Sequence, residues 1–364
     1  MGADPVELRW RVAELASSVV PVDASAAAAA RRRHDRLVKP LRSLGRVEEL
    51  GIRLCAIAGS CPPPVPEAPV VVVAAGDHGV LAQGVSPWPR EVTAAMIASF
   101  CSGAAAVNAI AGVVGARVTV LDVGVASELP PHPRLRRARV RPGTADLSQT
   151  AAMSRAEAAE ALLAGARVTD ELIGSGADLL VTGDMGIGNT TPAACLIAAF
   201  TGREASGVTG RGTGIDDATL ELKTGVVGRA LDLHRPDPAD PLGVLSSVGG
   251  LEHAALAGLI LAAAARRVPV VLDGVTAGAA ALVAQALAPE TAGYLVAGHR
   301  SVEPGAAVAL AHLGLEPVID LELRLGEGTG ALLAVPVVTA AAAVLRDMAT
   351  FDEVGFGPEE VESG

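Results

Sequence analysis

The feature that most limits how this chain can fold is a repeated alternation. Short β-branched, apolar runs end in glycine-rich or acidic turns and are separated by alanine-rich stretches of helix length. The runs are Val70 to Ala75, Arg117 to Val123, Asp178 to Thr182, Val268 to Leu272, Tyr294 to Ala297 and Pro317 to Leu321. Among them lie Glu91 to Ala111, Ser154 to Gly165, Thr191 to Phe200, Leu251 to Arg266 and Gly278 to Leu287. Fully apolar strands alternating with helices predict an α/β fold, a parallel sheet with helices on both faces. In such sheets ligands gather beyond the carboxyl ends of the strands, so chemistry belongs in the turns that follow them.

At 364 residues the chain exceeds the ~250–300 residues at which one core usually stops growing, so a second, smaller domain is expected. Apolar residues recur at helical spacing from Pro5 to Leu54. The run Cys61-Pro62-Pro63-Pro64-Val65-Pro66 then stops any helix and marks a boundary.

Lysine and arginine total 29 against 40 acidic residues, a formal charge of −11. A chain so charged repels polyanions, which argues against nucleic acid and anionic membrane surfaces as partners. Two tryptophans, one tyrosine and four phenylalanines are too scattered to stack single-stranded bases. Met1 to Arg11 mixes charges with apolar residues and lacks the apolar centre of a cleaved signal. The longest apolar stretch, Ala331 to Leu345, is interrupted by Pro336 and Thr339. It falls short of the ~20 residues a membrane span needs, so it reads as a buried element. Four cysteines without C-x-x-C spacing read as reduced thiols of a cytoplasmic protein. The acidic, glycine-containing end from Phe351 to Gly364 reads as a partly ordered tail.

Several turns are richer than a turn requires. The first run leads into Gly76-Asp77-His78-Gly79-Val80 and then Gly84-Val85-Ser86-Pro87-Trp88-Pro89. Asp77 and His78 could be acid and base, metal ligands or structural, but neighbours on an extended chain point to opposite faces. No H-E-x-x-H or H-x₃₋₅-H pair supports a metal. Trp88, stiffened by two prolines, could wall an aromatic pocket or simply pack at the surface.

The turn Gly183-Asp184-Met185-Gly186-Ile187-Gly188-Asn189-Thr190-Thr191 precedes a helix. Its glycines let backbone approach an anion, and Asn189, Thr190 and Thr191 offer capping groups where free N–H groups and the helix dipole favour phosphate. It lacks the lysine of a Walker A loop. Next come Gly210-Arg211-Gly212-Thr213-Gly214-Ile215-Asp216 and a helix bearing Lys223, whose only fellow lysine is Lys39. A compact ammonium suits a single phosphate. The turns Val248-Gly249-Gly250, Leu272-Asp273-Gly274 and Gly298-His299-Arg300-Ser301-Val302-Glu303-Pro304-Gly305 are individually weaker signals.

Leu323-Arg324-Leu325-Gly326-Glu327-Gly328-Thr329-Gly330-Ala331 is stronger. A glutamate between glycines is open to close approach by a substrate, and burial would raise its pKa toward useful basicity. Gly326, Gly328 and Ala331 also fit a loose dinucleotide fingerprint, but that motif belongs at the first βαβ unit and little chain follows here. An oxidoreductase, or a non-catalytic protein binding a nucleotide or corrinoid precursor, are the competing readings.

Taken in order, these motifs resemble the nicotinate-nucleotide:dimethylbenzimidazole phosphoribosyltransferases of cobalamin lower-ligand assembly, from about Val70 to Phe351. The resemblance implies transfer of the 5-phosphoribosyl group of nicotinate mononucleotide to a benzimidazole, with inversion, giving α-ribazole 5′-phosphate and nicotinate. It implies a homodimer whose subunits pair a Rossmann-like domain, here residues 69–330, with a small helical domain from both chain ends, here residues 1–68 with 331–364. Carried over by motif, the general base falls on Glu327 and the phosphate-binding lysine on Lys223. Contacts to the phosphoribosyl group fall on Gly186, Gly188 and Asn189. Ser86 and Trp88 match the segment bordering the benzimidazole pocket, and Asp184, Thr190 and Ser301 complete the substrate-binding set. The family often has Glu where Asp184 stands. The pyridine leaves already cationic and needs no acid, while the azole must shed a proton, so one carboxylate base suffices. No metal or cofactor is required by that chemistry, and the acceptor could be dimethylbenzimidazole, another benzimidazole, adenine or a phenolic.

Overall fold

The computed structural model describes residues 4–355; of the expected acidic tail, residues 356–364 lie outside the described residues. Three helices open the chain: α1 (Pro5–Ser17), α2 (Ala24–Arg36) and α3 (Arg46–Ala58). They are followed by β1 (Pro69–Gly76), α4 (Glu91–Ser102), α5 (Ala106–Val114), β2 (Arg117–Gly124) and β3 (Leu135–Arg137). Then come α6 (Arg155–Gly174), β4 (Leu179–Met185), α7 (Thr190–Thr201), α8 (Ala205–Val208), α9 (Asp217–His234), α10 (Pro241–Val248) and α11 (Leu251–Ala265). The chain ends with β5 (Val270–Leu272), α12 (Val275–Leu287), β6 (Leu295–Ala297), α13 (Pro304–His312) and α14 (Thr329–Asp347).

Among the described residues the six strands are all parallel, in the order β3-β2-β1-β4-β5-β6. This is the doubly wound order, whose topological switch point lies between β1 and β4. Strand periodicity divides the core. Val70, Val72 and Ala74 face the helices α6, α7, α11 and α12, while Val71, Val73 and Ala75 face α4, α5 and α14. Because both faces are covered, β1 and β5, both interior strands of the sheet, are apolar at every position rather than at alternate ones.

Helices α6 and α11 cross with almost no side chain between them. A Cβ on Gly165 would overlap the Ala255 carbonyl, and one on Gly258 would overlap the Leu162 carbonyl. Gly165→Ala is therefore expected to destabilise the protein by about 3 kcal/mol, the upper end of overpacking costs, in a denaturant titration.

Two sequence expectations need correction, and one strand was missed. Glu91 to Ala111 is not one helix, because Gly103 at φ +90 ends α4 and α5 starts afresh at Ala106. The segment β3 was not anticipated; its three residues, rich in arginine, pair only at an edge. Pro317 to Leu321 is not a strand: Pro317 has no N–H to donate, and Ile319 makes one isolated bridge to His299.

The helix α14 is long and apolar enough to cross a membrane by length and composition. Instead Ala331, Leu332, Val335 and Val338 lie buried against the sheet. Its far end enters a separate small core, where Leu345 packs with Ala26, Ala30, Leu37, Ile52 and Cys55 of the opening segment. An antiparallel bridge between Leu37 and Thr350 ties the two chain ends together. Helix α1 packs instead on the main core, through Leu8 and Val12.

Candidate active site

At the carboxyl ends of the strands lies a cavity of about 740 Å³. Its walls come from the turns after β1, β4, β5 and β6, from the loop before α9 and from the segment that starts α14. Ser86, Trp88, Asp184, Gly186, Gly188, Asn189, Thr190, Lys223, Ser301 and Glu327 all line it.

Glu327 is only 5% exposed and has φ +64, between Gly326 at φ +82 and Gly328 at φ +92. Three successive left-handed residues fold the chain tightly, and a non-glycine residue held there is strained by about 1–3 kcal/mol, so its surroundings must fix it. They do so in two ways. The Gly183 backbone lies so close that a Cβ there would come 2.5 Å from the Glu327 carbonyl oxygen. Asp273, at the end of β5, accepts hydrogen bonds from the N–H groups of Gly328 (3.2 Å) and Ala331 (3.0 Å), capping α14. The Glu327 Oε2 atom is buried and has no hydrogen-bond partner among the described residues. Burial lifts the Glu327 carboxyl to about 7; the Val107 N–H, in the first turn of α5, pulls it down, and the Asp273 charge adds to the rise. A carboxylate of that basicity can take a proton at neutral pH.

Across the cavity the chain leaves β4 through Gly186, Ile187 and Gly188, the last at φ +88. The side chain of Asn189 does not cap α7, as the sequence suggested. It lies in helical conformation and donates instead to Asp184 Oδ2 at 2.7 Å. Burial, with the charges of Asp273 and Glu252, pushes the Asp184 carboxyl up to about 7.

Lys223 projects from α9 and is 2% exposed. Its Nζ donates to Thr190 Oγ1 (2.8 Å) and to the Gly210 carbonyl (3.0 Å). An ammonium has three N–H bonds, so one remains for a ligand. Burial pulls the Lys223 pKa down to about 8, with the Glu303 charge opposing it. Glu303 also fastens the loop above, accepting from the Gly212 N–H at 2.8 Å.

Trp88 stands at the rim, 51% exposed, and the Ser86 hydroxyl accepts from its backbone N–H at 3.3 Å. Ser301 is buried and accepts from the Glu303 N–H at 3.4 Å. Asp77 and His78 do not reach the cavity. Asp77 accepts from Ala126 N–H at 2.8 Å, and His78 pairs with Glu252 behind the β4 turn. Sequence reasoning gave no role to Asp273 or Glu303. Each stood in a turn already noted, but nothing in the spacing says which carboxylate will clamp a neighbouring loop.

Residues 19–356 match the sequence model of a family described as phosphoribosyltransferase. Among curated relatives, the nicotinate-nucleotide-dimethylbenzimidazole phosphoribosyltransferase of Salinispora tropica is 59% identical over 353 residues, covering 93% of this chain and 97% of the relative. That of Chloroflexus aurantiacus is 55% identical over 339 residues, covering 93% and 96%. This chain belongs to the nicotinate-nucleotide-dimethylbenzimidazole phosphoribosyltransferase family. The solved structure of the Thermus thermophilus family enzyme agrees, with TM-score 0.87 and 48% identity over 92% of this chain and 99% of that one.

The Asp273 clamp bears on the pH profile. The Asp273 charge raises the Glu327 pKa; a carboxylate takes up a proton only when ionised, so a reaction that uses Glu327 as its base speeds up as pH rises through that pKa. Asp273→Asn removes that charge, so the acid limb of kcat/KM should move to lower pH. Burial and the Asp273 charge also lift the Asp184 carboxyl to about 7, so Asp273→Asn lowers both carboxyls, and the displacement of the limb is the quantity to measure.

Proposed function

We propose that the protein transfers the 5-phosphoribosyl group of nicotinate mononucleotide to 5,6-dimethylbenzimidazole or a related base, giving α-ribazole 5′-phosphate and nicotinate. One observation carries the reading. A single cavity holds a buried carboxylate of raised basicity on one wall, and on another a buried lysine beside a glycine-lined turn. In this reading Lys223, Thr190 and the turn Gly186 to Asn189 hold the phosphoribosyl group. Ser86, Trp88 and Ser301 border the aromatic rings, and Asp184 steadies the turn through Asn189. Glu327 takes the azole proton as the azole nitrogen bonds to the anomeric carbon. The C–N bond to the cationic pyridine breaks with its electron pair going to the pyridine nitrogen, so neutral nicotinate-ring nitrogen departs without an acid.

Incubation with nicotinate mononucleotide and 5,6-dimethylbenzimidazole tests it. The expected products are a ribazole phosphate and nicotinate in equal amounts; none at high enzyme concentration would remove the claim. A mixture of benzimidazoles, adenine and a phenol offered together identifies the preferred acceptor.

The reading includes a division into a small helical part, residues 1–68 with 331–364, and an α/β part, residues 69–330. It is supported by the separate core that joins α2, α3 and the end of α14. It also includes a homodimer, supported by apolar surface on α5 such as Val113, which is 86% exposed; a molar mass in solution tests this. A cytoplasmic setting is supported by four unpaired cysteines.

A further inference from the structure

Behind the turn that follows β4 lies a cluster of charged side chains that the reaction does not touch. His78 follows β1, while Glu252 and His253 stand in the first turn of α11, and all three side chains are fully buried. His78 Nε2 lies 3.0 Å from Glu252 Oε1, and His253 Nδ1 lies 2.7 Å from the same oxygen. The two rings meet edge to face, 6.3 Å between centroids. Burying such groups is costly, and an uncompensated one costs more, so a cluster like this needs a reason beyond stability.

The glycines around it supply one. A Cβ on Gly186 would overlap the Gly76 carbonyl and come 3.0 Å from His78 Nε2. A Cβ on Gly76 would come 2.9 Å from Glu252 Oε2, and one on Gly250 would come 2.6 Å from Glu252 Oε1. Backbone from three separate turns therefore rests on one buried ion pair. Gly186 is the member that also lines the cavity.

We propose that the His78–Glu252–His253 cluster is a positioning device that sets the depth of Gly186, and with it the phosphate-holding face of the turn from Gly186 to Thr190. His78 and Glu252 are positioning residues, separated from the substrate by the backbone they support. The charges facing the cluster fit this role. Asp77 lies on the same turn as His78, and Asp184 lies at the end of β4; both favour the protonated imidazole. Burial is the largest influence and opposes that form, but Glu252, Asp77 and Asp184 together outweigh it, so the His78 pKa is raised. Glu252 also stands where the dipole of α11 favours an anion. The proposal rests on the reading that the nucleotide phosphate occupies this turn.

The test is Glu252→Gln, which keeps shape and removes the charge. KM for nicotinate mononucleotide is expected to rise about tenfold or more, while KM for dimethylbenzimidazole stays within about twofold, a loss of ground-state nucleotide binding. Calorimetry with inorganic phosphate should show the same loss of affinity. The double variant His78→Gln with Glu252→Gln, an uncharged pair of similar shape, should return phosphate affinity to within about threefold of wild type, because replacing both partners avoids the cost of an unpaired buried charge. If Glu252→Gln does not fold, His78→Gln, which leaves Glu252 on His253, should weaken phosphate binding in its place. A fall in kcat with both KM values and phosphate affinity unchanged would reduce the cluster to scaffolding and overturn the proposal. Phosphate affinity is read without turnover, so failure of the transfer assay and failure of this proposal are separate results.

Discussion

Replacing Glu327 with glutamine lowers kcat by roughly 10²–10⁴-fold, the usual contribution of a positioned general base. The amide fills the same space, so the left-handed loop and the cap by Asp273 should survive, and KM for the nucleotide should change little. The pH profile gives a second reading. With the carboxyl lifted to about 7 by burial, wild-type activity climbs as pH rises through neutrality. Glu327→Gln should retain only a low rate without that rise. Near-normal turnover would take Glu327 out of the role of base.

Lys223→Met carries the other large effect. Methionine nearly fills the space of the lysine stem, so the change removes the charge without opening a void beneath α7. A hydrogen bond to a charged group contributes about 1.5–3 kcal/mol, so KM for nicotinate mononucleotide should rise about 10- to 150-fold with kcat much less affected. The alkaline side of the profile should change as well. Burial lowers the Lys223 pKa to about 8, so the charged form is lost as pH rises through that value. Wild-type kcat/KM should then fall above about pH 8, whereas the variant should show no such fall. An unchanged KM would mean that the phosphate is held elsewhere.

What could be read from the sequence followed from how local each signal is. Val70 to Ala75 declares itself a buried parallel strand because all of its side chains are apolar. Glu327 stood out because an isolated acid between glycines serves no packing purpose, and Lys223 stood out against an arginine-rich chain. Non-local facts were hidden. Asn189 looked like a helix cap until Asp184, five residues earlier, proved to claim its amide. Asp273 sits 54 residues from Glu327, and only the closing of β5 against α14 brings its carboxylate onto that loop. The ion pair of His78 with Glu252 joins two motifs that gave no hint of meeting, since sequence spacing carries no record of which turns stack behind one another.

The helix α14 has a mechanical consequence. Its first turn carries the strained glutamate loop, and its last turns are packed among helices built from the beginning of the chain. Glu327 is thus mounted on a lever whose handle is held by the opposite end of the polypeptide. Heat or truncation that loosens residues 24–58 should silence the enzyme while the sheet and the turn from Gly186 to Thr190 remain intact. Loss of turnover should then precede loss of nucleotide binding.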